Sequence, residues 1–403
     1  MIYRARIVVT MDGPPIENGA VAVNDGRIQA VSDFDHVRRL YGGAIVDLGE
    51  QILLPGLINA HCHLDYTMMR NAISPQQSFT QWIVRINALK RSLDVEDYVR
   101  AIEHGFEELK KWGTTAVLNI EAFPEVLPRL APPPIRTWWF YEMIDVRQRI
   151  ATEEMVAGAF MFFKNRADWL GGFGLSPHAP YTASDELYRL ANECARATGM
   201  PLTTHVAESA EEDAMFRYRS GELYEFMRRL GREVEDGGGR SSLARMLENG
   251  LVDEGWILAH VNEIDDRDFE RLSRTVLNIV HCPRSHGYFS HRPFRFHRLH
   301  ELGANISLGT DSVASNESLS LFAEMQAVQK REPWLRPEAL LRTVTVNPAR
   351  ALQKAGELGQ ITPGAHADLI CVPFGGDAAQ ACEAIVHHEQ PIRWLMVNGG
   401  VAA

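Results

Sequence analysis

LPGLINAHCHLDYTMMR, Leu54 to Arg70, opens on a short apolar run that ends in two histidines, His61 and His63, with one residue between them. In a β-strand successive side chains alternate faces, so residues i and i+2 point the same way. Both imidazoles can then face one interior and bind a single ion, while Cys62 points away. Standing alone, the pair reads better as two histidines on the surface or in a loop. What decides between the two is the company this run keeps elsewhere in the chain.

Apolar, β-branched runs recur at 52–60, 114–120, 135–144, 171–176, 201–206, 256–261, 276–281 and 304–309. Most are followed by a polar stretch with helical spacing, such as SDELYRLANECARAT (184–198) or NESLSLFAEMQAVQK (316–330). Eight strand–helix units in series predict a parallel sheet with crossover helices, closed as a (β/α)8 barrel; an open doubly wound sheet is the alternative. The stretch 209–250 is longer than one crossover needs and predicts an insertion over the barrel mouth. The two ends read differently. ARIVVTMDG, GAVAVNDGRIQAVS and GAIVDLG near the start, and GQITPGAHADLICVPF and PIRWLMVNGG near the end, are β-rich and broken by turn residues. They predict a small β-sandwich built from both termini, residues 1–54 with 357–403, around a barrel of residues 55–356.

Bulk properties narrow the function. The chain has 403 residues, of which 45% are hydrophobic, and 41 basic against 52 acidic side chains give a net charge of −11. Such a field repels nucleic acid and anionic membranes and leaves a small molecule as the expected partner. The five cysteines are odd in number and form no CxxC, which speaks against a disulfide framework or a cysteine zinc site. The start lacks the apolar core of a signal peptide, and no apolar run reaches the ~18 residues of a membrane span. A cytoplasmic protein is expected, and a homo-oligomer, a dimer.

The chemistry of a (β/α)8 barrel sits at the C-terminal ends of its strands. The first run ends in His61 and His63, the fourth in SPHAPYT with His178, and the fifth in THVAES with His205 and Glu208. The sixth ends in LAHVNE with His260, the seventh in VHCPRSH with Arg284 and His286, and the eighth in LGTDSVASN with Asp311. One end of the barrel therefore collects histidines and two carboxylates, which turns the HxH pair into a metal claw. The same mouth offers Tyr66, Met68 and Met69, the run Trp138–Trp139–Phe140–Tyr141, Tyr181 and Phe289. Aromatics with a few polar groups suit a nucleoside-like ligand. Alternate members of the Trp-Trp-Phe-Tyr run must nevertheless pack against helices. Arg284, with Arg147 from the loop after the third run, is a candidate grip for an anionic tail.

PGLINAHCHLDYT, SPHAPYT, THVAES, LAHVN, HCPRSH and LGTDSVASN, closed by GQITPGAHADL, resemble in order and spacing the amidohydrolase superfamily, in its deaminase and chlorohydrolase branch. The resemblance implies one metal ion held by His61, His63, His205 and Asp311, with Glu208 as proton shuttle and His260 orienting the attacking water. Two-metal members generally carry a carboxylated lysine at the end of strand four, where this chain has Ser176, Pro177 and His178; one ion is expected. Three neutral imidazoles and a carboxylate suit Zn²⁺, or Fe²⁺. Such an ion lowers the pKa of bound water to about 7 and so supplies hydroxide at neutral pH. The implied reaction is hydrolytic deamination: hydroxide attacks the amino-bearing ring carbon and ammonia leaves. Loss of chloride from a chlorinated triazine-like ring is the near alternative, and a non-catalytic binding barrel a remote one. HLDYT, SFTQWI and HCPRSH are most similar to the 6-aminodeoxyfutalosine deaminases of menaquinone synthesis, then to the deaminases of S-adenosylhomocysteine or methylthioadenosine. The substrate contacts so implied are His178, Glu208, Tyr66, Met69, Arg284 and His286.

Overall fold

A computed structural model of the chain describes residues 1–146, 152–164, 166, 168–234, 237–272 and 275–402. Five strands come first: β1 (Ile2–Val8), β2 (Ile16–Asn24), β3 (Arg27–Asp33), β4 (Ile45–Asp47) and β5 (Gln51–Pro55). Eight more follow at the intervals the apolar runs predict. They are β6 (Leu57–Cys62), β7 (Thr114–Glu121), β8 (Arg136–Met143), β9 (Gly171–Pro177), β10 (Leu202–Val206), β11 (Trp256–His260), β12 (Asn278–His281) and β13 (Asn305–Leu308). The last three are β14 (Leu369–Pro373), β15 (Leu395–Val397) and β16 (Gly400–Ala402).

Strands β6 to β13 pair in sequence order, each parallel to the next. The ring closes just beyond β13, where the Thr310 and Asp311 N–H groups both donate to the His61 carbonyl at 3.1 Å. Gly309 makes that approach possible: a Cβ there would sit 2.7 Å from the same carbonyl oxygen. The fold is thus the (β/α)8 barrel, and the open doubly wound sheet is excluded by the closure. Inside it, Ile58, Ala60, Leu118, Trp138, Phe140, Ile257 and Val280 form one buried cluster. Trp139 and Tyr141, one residue out of phase, belong to the layer between strands and helices.

The terminal strands make a separate mixed sheet in the order β16-β15-β14-β5-β1-β2-β3, with β4 on β1. Its core includes Tyr3, Val21, Leu53, Leu369 and Met396. The run 52–60, expected as one strand, is two. Gly56 carries the chain from one sheet to the other: its N–H bonds the Asp368 carbonyl, and the next N–H, of Leu57, bonds Gly113 in the barrel. A side chain at Gly56 would lie 2.0 Å from Thr115 Oγ1, so only glycine fits the crossing. A buried ion pair, Arg136 Nε to Asp368 Oδ2 at 2.9 Å, ties the start of β8 to the terminal sheet.

Among its described residues, the long segment after β10 forms three helices, Ala210–Tyr218, Glu222–Arg229 and Ser242–Glu248. Among the described residues, no helix is long and apolar enough to cross a membrane.

Candidate active site

His61 lies in β6 and His63 directly follows it on the same side, as the period of two requires, and β10 delivers His205 opposite them. One ring nitrogen from each of the three lies within 4.8 Å of the others. His205 Nδ1 is 2.8 Å from the backbone carbonyl of His178. A carbonyl only accepts, so Nδ1 carries the proton and Nε2 presents a lone pair toward His63 Nε2, 3.3 Å away. Burial, with neighbouring imidazoles adding, holds the His61 and His63 pKa values well below the ordinary histidine range. The imidazoles are therefore neutral, the form that ligates metal.

Asp311 completes this end. It stands at a left-handed φ of 54°, just past the seam that closes the barrel. Its Oδ1 lies 3.9 Å from His61 Nε2 and 3.8 Å from His63 Nε2. That oxygen accepts from the Ser312 N–H, and Oδ2 accepts from Ser285 Oγ at 2.6 Å, so the carboxylate is fixed from behind. The donor set fits a divalent cation. Neither ring nitrogen of His61 has a hydrogen-bond partner although the residue is 1% exposed. Buried polar atoms left unpaired are costly, and a cation among converging lone pairs removes that cost.

Glu208 and His260 sit beside the histidines, Oε1 to Nε2 3.6 Å. The backbone that carries Glu208 is held at three points. The Ala207 and Glu208 N–H groups donate to the buried Glu212 carboxylate, each at 2.9 Å, and Asn262 Nδ2 donates to the Glu208 carbonyl. Burial first, then the nearby Asp311 charge, raises the Glu208 pKa well above the ordinary carboxylic range. A carboxyl so placed readily holds a proton that a reacting group must receive. His178 Nδ1 bonds Thr182 Oγ1 at 2.5 Å, and the His178 ring stays on the cavity wall.

These groups form the floor of a cavity of ≈ 230 Å³. Its outer wall is apolar: Phe79, Trp82, Ile83 and Ile86 come from the helix Phe79–Lys90, Phe226 and Met227 from the insertion, and Phe289 from the segment after β12. The insertion does lie over the mouth. Tyr66 lines the cavity and stacks on His63 at 5.4 Å, and Tyr181 lines it too.

Three expected contacts are corrected. Met69 is buried in the main core, turned away from the cavity by the short helix Leu64–Met69. Arg284 is carried outward by the helix Pro283–Phe289; its guanidinium bonds Ser318 and Glu317 and borders a separate surface groove. His286 stands behind the site, its Nδ1 3.1 Å from Asn262 Oδ1. Of the Trp138–Tyr141 run none reaches the cavity, and Arg147 lies outside the described residues. The sequence reading missed Glu142 and Lys90, which both line the cavity. It also missed Asp65 and Glu121, buried carboxyls whose pKa values burial pushes up. Glu121 and Glu142 close the second and third barrel strands, so the rule applied to the other strand ends would have found them.

The chain resembles known proteins in sequence and in fold. The sequence profile described as "Amidohydrolase family" matches residues 52–399. The chain is 28% identical to the 5-methylthioadenosine/S-adenosylhomocysteine deaminase of Syntrophobacter fumaroxidans, over 91% of this chain and 83% of that protein. It is 29% identical to the aminodeoxyfutalosine deaminase of Deinococcus radiodurans, over 82% of this chain and 80% of that protein. In fold it matches the crystal structure of an adenosine deaminase from Xanthomonas campestris with bound zinc. The TM-score is 0.83 at 24% identity, covering 99% of this chain and 92% of that one.

Proposed function

The chain belongs to the amidohydrolase family, and from that premise we propose that it is a hydrolytic deaminase of aminopurine nucleosides, with 6-aminodeoxyfutalosine the favoured substrate and nucleosides of the adenosine, S-adenosylhomocysteine and methylthioadenosine type next. One observation carries the reading: His61, His63, His205 and Asp311 converge at one end of a cavity in which Glu208 and His260 stand 3.6 Å apart. The deaminase names of the relatives at 28% and 29% identity support it.

His61, His63, His205 and Asp311 would hold a divalent ion, Zn²⁺ before Fe²⁺, whose chemistry is to lower the pKa of water to about 7. The remaining steps belong to the protein. Glu208 takes a proton from the attacking water and delivers it to the ring nitrogen beside the amino-bearing carbon. His260 hydrogen-bonds the attacking oxygen and keeps it in line. The new carbon–oxygen bond forms, the carbon–nitrogen bond breaks, and the amino group leaves as ammonia with a second proton passed through Glu208. His178 faces the far edge of the ring. The same reading carries a place in menaquinone synthesis, a cytoplasmic location and a homodimer.

The test is a substrate panel scored by ammonia release: 6-aminodeoxyfutalosine, methylthioadenosine, S-adenosylhomocysteine, adenosine and a chlorinated triazine. Ammonia from one or more of the nucleosides is the expected result. Turnover of the triazine alone, with chloride released, overturns it.

A further inference from the structure

Two strand ends are locked together behind the site. Ala207, His260 and Val261 all stand at left-handed φ, 51°, 75° and 51°. None is glycine, and Val261 is β-branched, a residue type for which this region is an outlier. Such conformations persist only where the surroundings over-determine them, and they gather at functional sites. Here the surroundings are the ends of β10 and β11. The Val261 N–H bonds the Val206 carbonyl at 3.0 Å, and the Asn262 and Glu263 N–H groups both bond the Ala207 carbonyl at 2.8 Å. The bend turns the buried Asn262 side chain back toward Glu208, whose carbonyl accepts from Asn262 Nδ2 at 3.0 Å.

That carbonyl dictates the next two links. A carbonyl only accepts, so Asn262 presents its NH₂ to Glu208 and its Oδ1 to His286, whose Nδ1 lies 3.1 Å away. An amide oxygen only accepts too, so His286 Nδ1 carries a proton. Burial pushes the His286 pKa down to about 4, so at neutral pH the ring has one N–H and Nε2 is a lone pair. Nε2 is buried and, among the described residues, has no hydrogen-bond partner. The ring's one N–H is therefore committed to Asn262.

We propose that His286, acting through Asn262, is a positioning residue for Glu208: its N–H holds the Asn262 amide in the one orientation that donates to the Glu208 carbonyl. Glu212 fixes the N–H groups of Ala207 and Glu208, and this relay fixes the carbonyl on the other side, so the carboxyl stays within reach of the reacting proton. Without the His286 N–H the amide is free to turn its oxygen toward the Glu208 carbonyl, where two acceptors repel. The inference rests on the reading of Glu208 as proton shuttle.

The test compares two variants of the full-length, zinc-loaded protein. His286→Leu removes the donor, and His286→Asn puts an amide Nδ2 where the ring carried Nδ1. On a substrate of the panel that is turned over, His286→Leu should lower kcat about 10- to 100-fold, with KM within about 2-fold and metal content unchanged. His286→Asn should restore most of the rate. Asn262→Leu should be as slow as His286→Leu, and the double variant no slower than either. A parent-like kcat in His286→Leu, an equal loss in His286→Asn, or additive losses overturn the relay. Imidazole nitrogen NMR of the unaltered protein gives a check that depends on no variant: the His286 proton should sit on Nδ1, and a proton on Nε2 overturns the relay. These readouts keep the two claims apart. Turnover of the triazine alone refutes the deaminase, while slower chloride release in His286→Leu keeps the relay. Ammonia release by His286→Leu at the parent rate refutes the relay and keeps the deaminase. With no turnover of any compound the deaminase falls, and the His286 tautomer decides the relay.

Discussion

In the proposed deamination Glu208 is the proton shuttle, and its position is built rather than incidental. Its backbone is gripped by Glu212 and Asn262, and its carboxyl is buried beside His260. Glu208→Gln keeps the shape and removes the proposed proton shuttle. Turnover should fall about 10²- to 10⁴-fold while metal content, read by elemental analysis, stays at the parent level. Glu212→Ala should act one step back. It leaves two buried N–H groups without an acceptor, at about 1–3 kcal/mol each, so urea denaturation should show lower stability together with slower turnover. Legibility at this scale followed direction. His61 and His205 lie within strands and His63 follows β6 directly, while His260 and Asp311 stand at or just past strand ends at left-handed φ; all five occupy strand-end positions, and the sequence shows those. Met69 and Arg284 lie a few residues further on, where a following helix sets the direction, and nothing local in the sequence reports that helix's axis. Glu142 was hidden for another reason: it is embedded in a run of aromatics that reads as core.

The elements matter most where two of them meet. The barrel closes only because Gly309 lets the segment after β13 lie against the His61 carbonyl, and the same seam sets Asp311 next to His61 and His63. Gly309→Ala drives a Cβ to 2.7 Å from that carbonyl oxygen. It should cost about 1–3 kcal/mol of stability by urea denaturation and lower the bound metal, because the seam and the metal end share His61. Unchanged metal content with a normal denaturation midpoint would argue against that coupling. The eight barrel strands were legible because each falls in a distinct apolar run and most of the runs are followed by helical spacing. The break inside the first run has a mark in the sequence, the Pro55–Gly56 pair, but that the chain changes sheets there is shown only by the contacts with Thr115 and Asp368.

At the scale of the whole molecule, two sheets are joined through a buried charge pair. Arg136 and Asp368 lie 232 residues apart in sequence and are 7% and 6% exposed, so their pairing was invisible to any local pattern. Arg136→Ala strands the Asp368 carboxylate in a buried setting and should cost about 3–5 kcal/mol, seen as a lower midpoint in urea. Because the pair lies at the start of β8, away from the histidines at the strand ends, turnover at low temperature should change little. The overall architecture gives the molecule a polar, metal-binding floor and an apolar outer wall, and that polarity gradient suits a ring with a substituent extending toward the mouth. The measurement that tests this most directly is ammonia released per nucleoside consumed, for the purified metal-loaded chain beside its Glu208→Gln variant. One equivalent of ammonia from an aminopurine nucleoside, and loss of nearly all of that rate in the variant at equal metal content, is the predicted result; no ammonia from any nucleoside of the panel, or an undiminished rate in the variant, would contradict it.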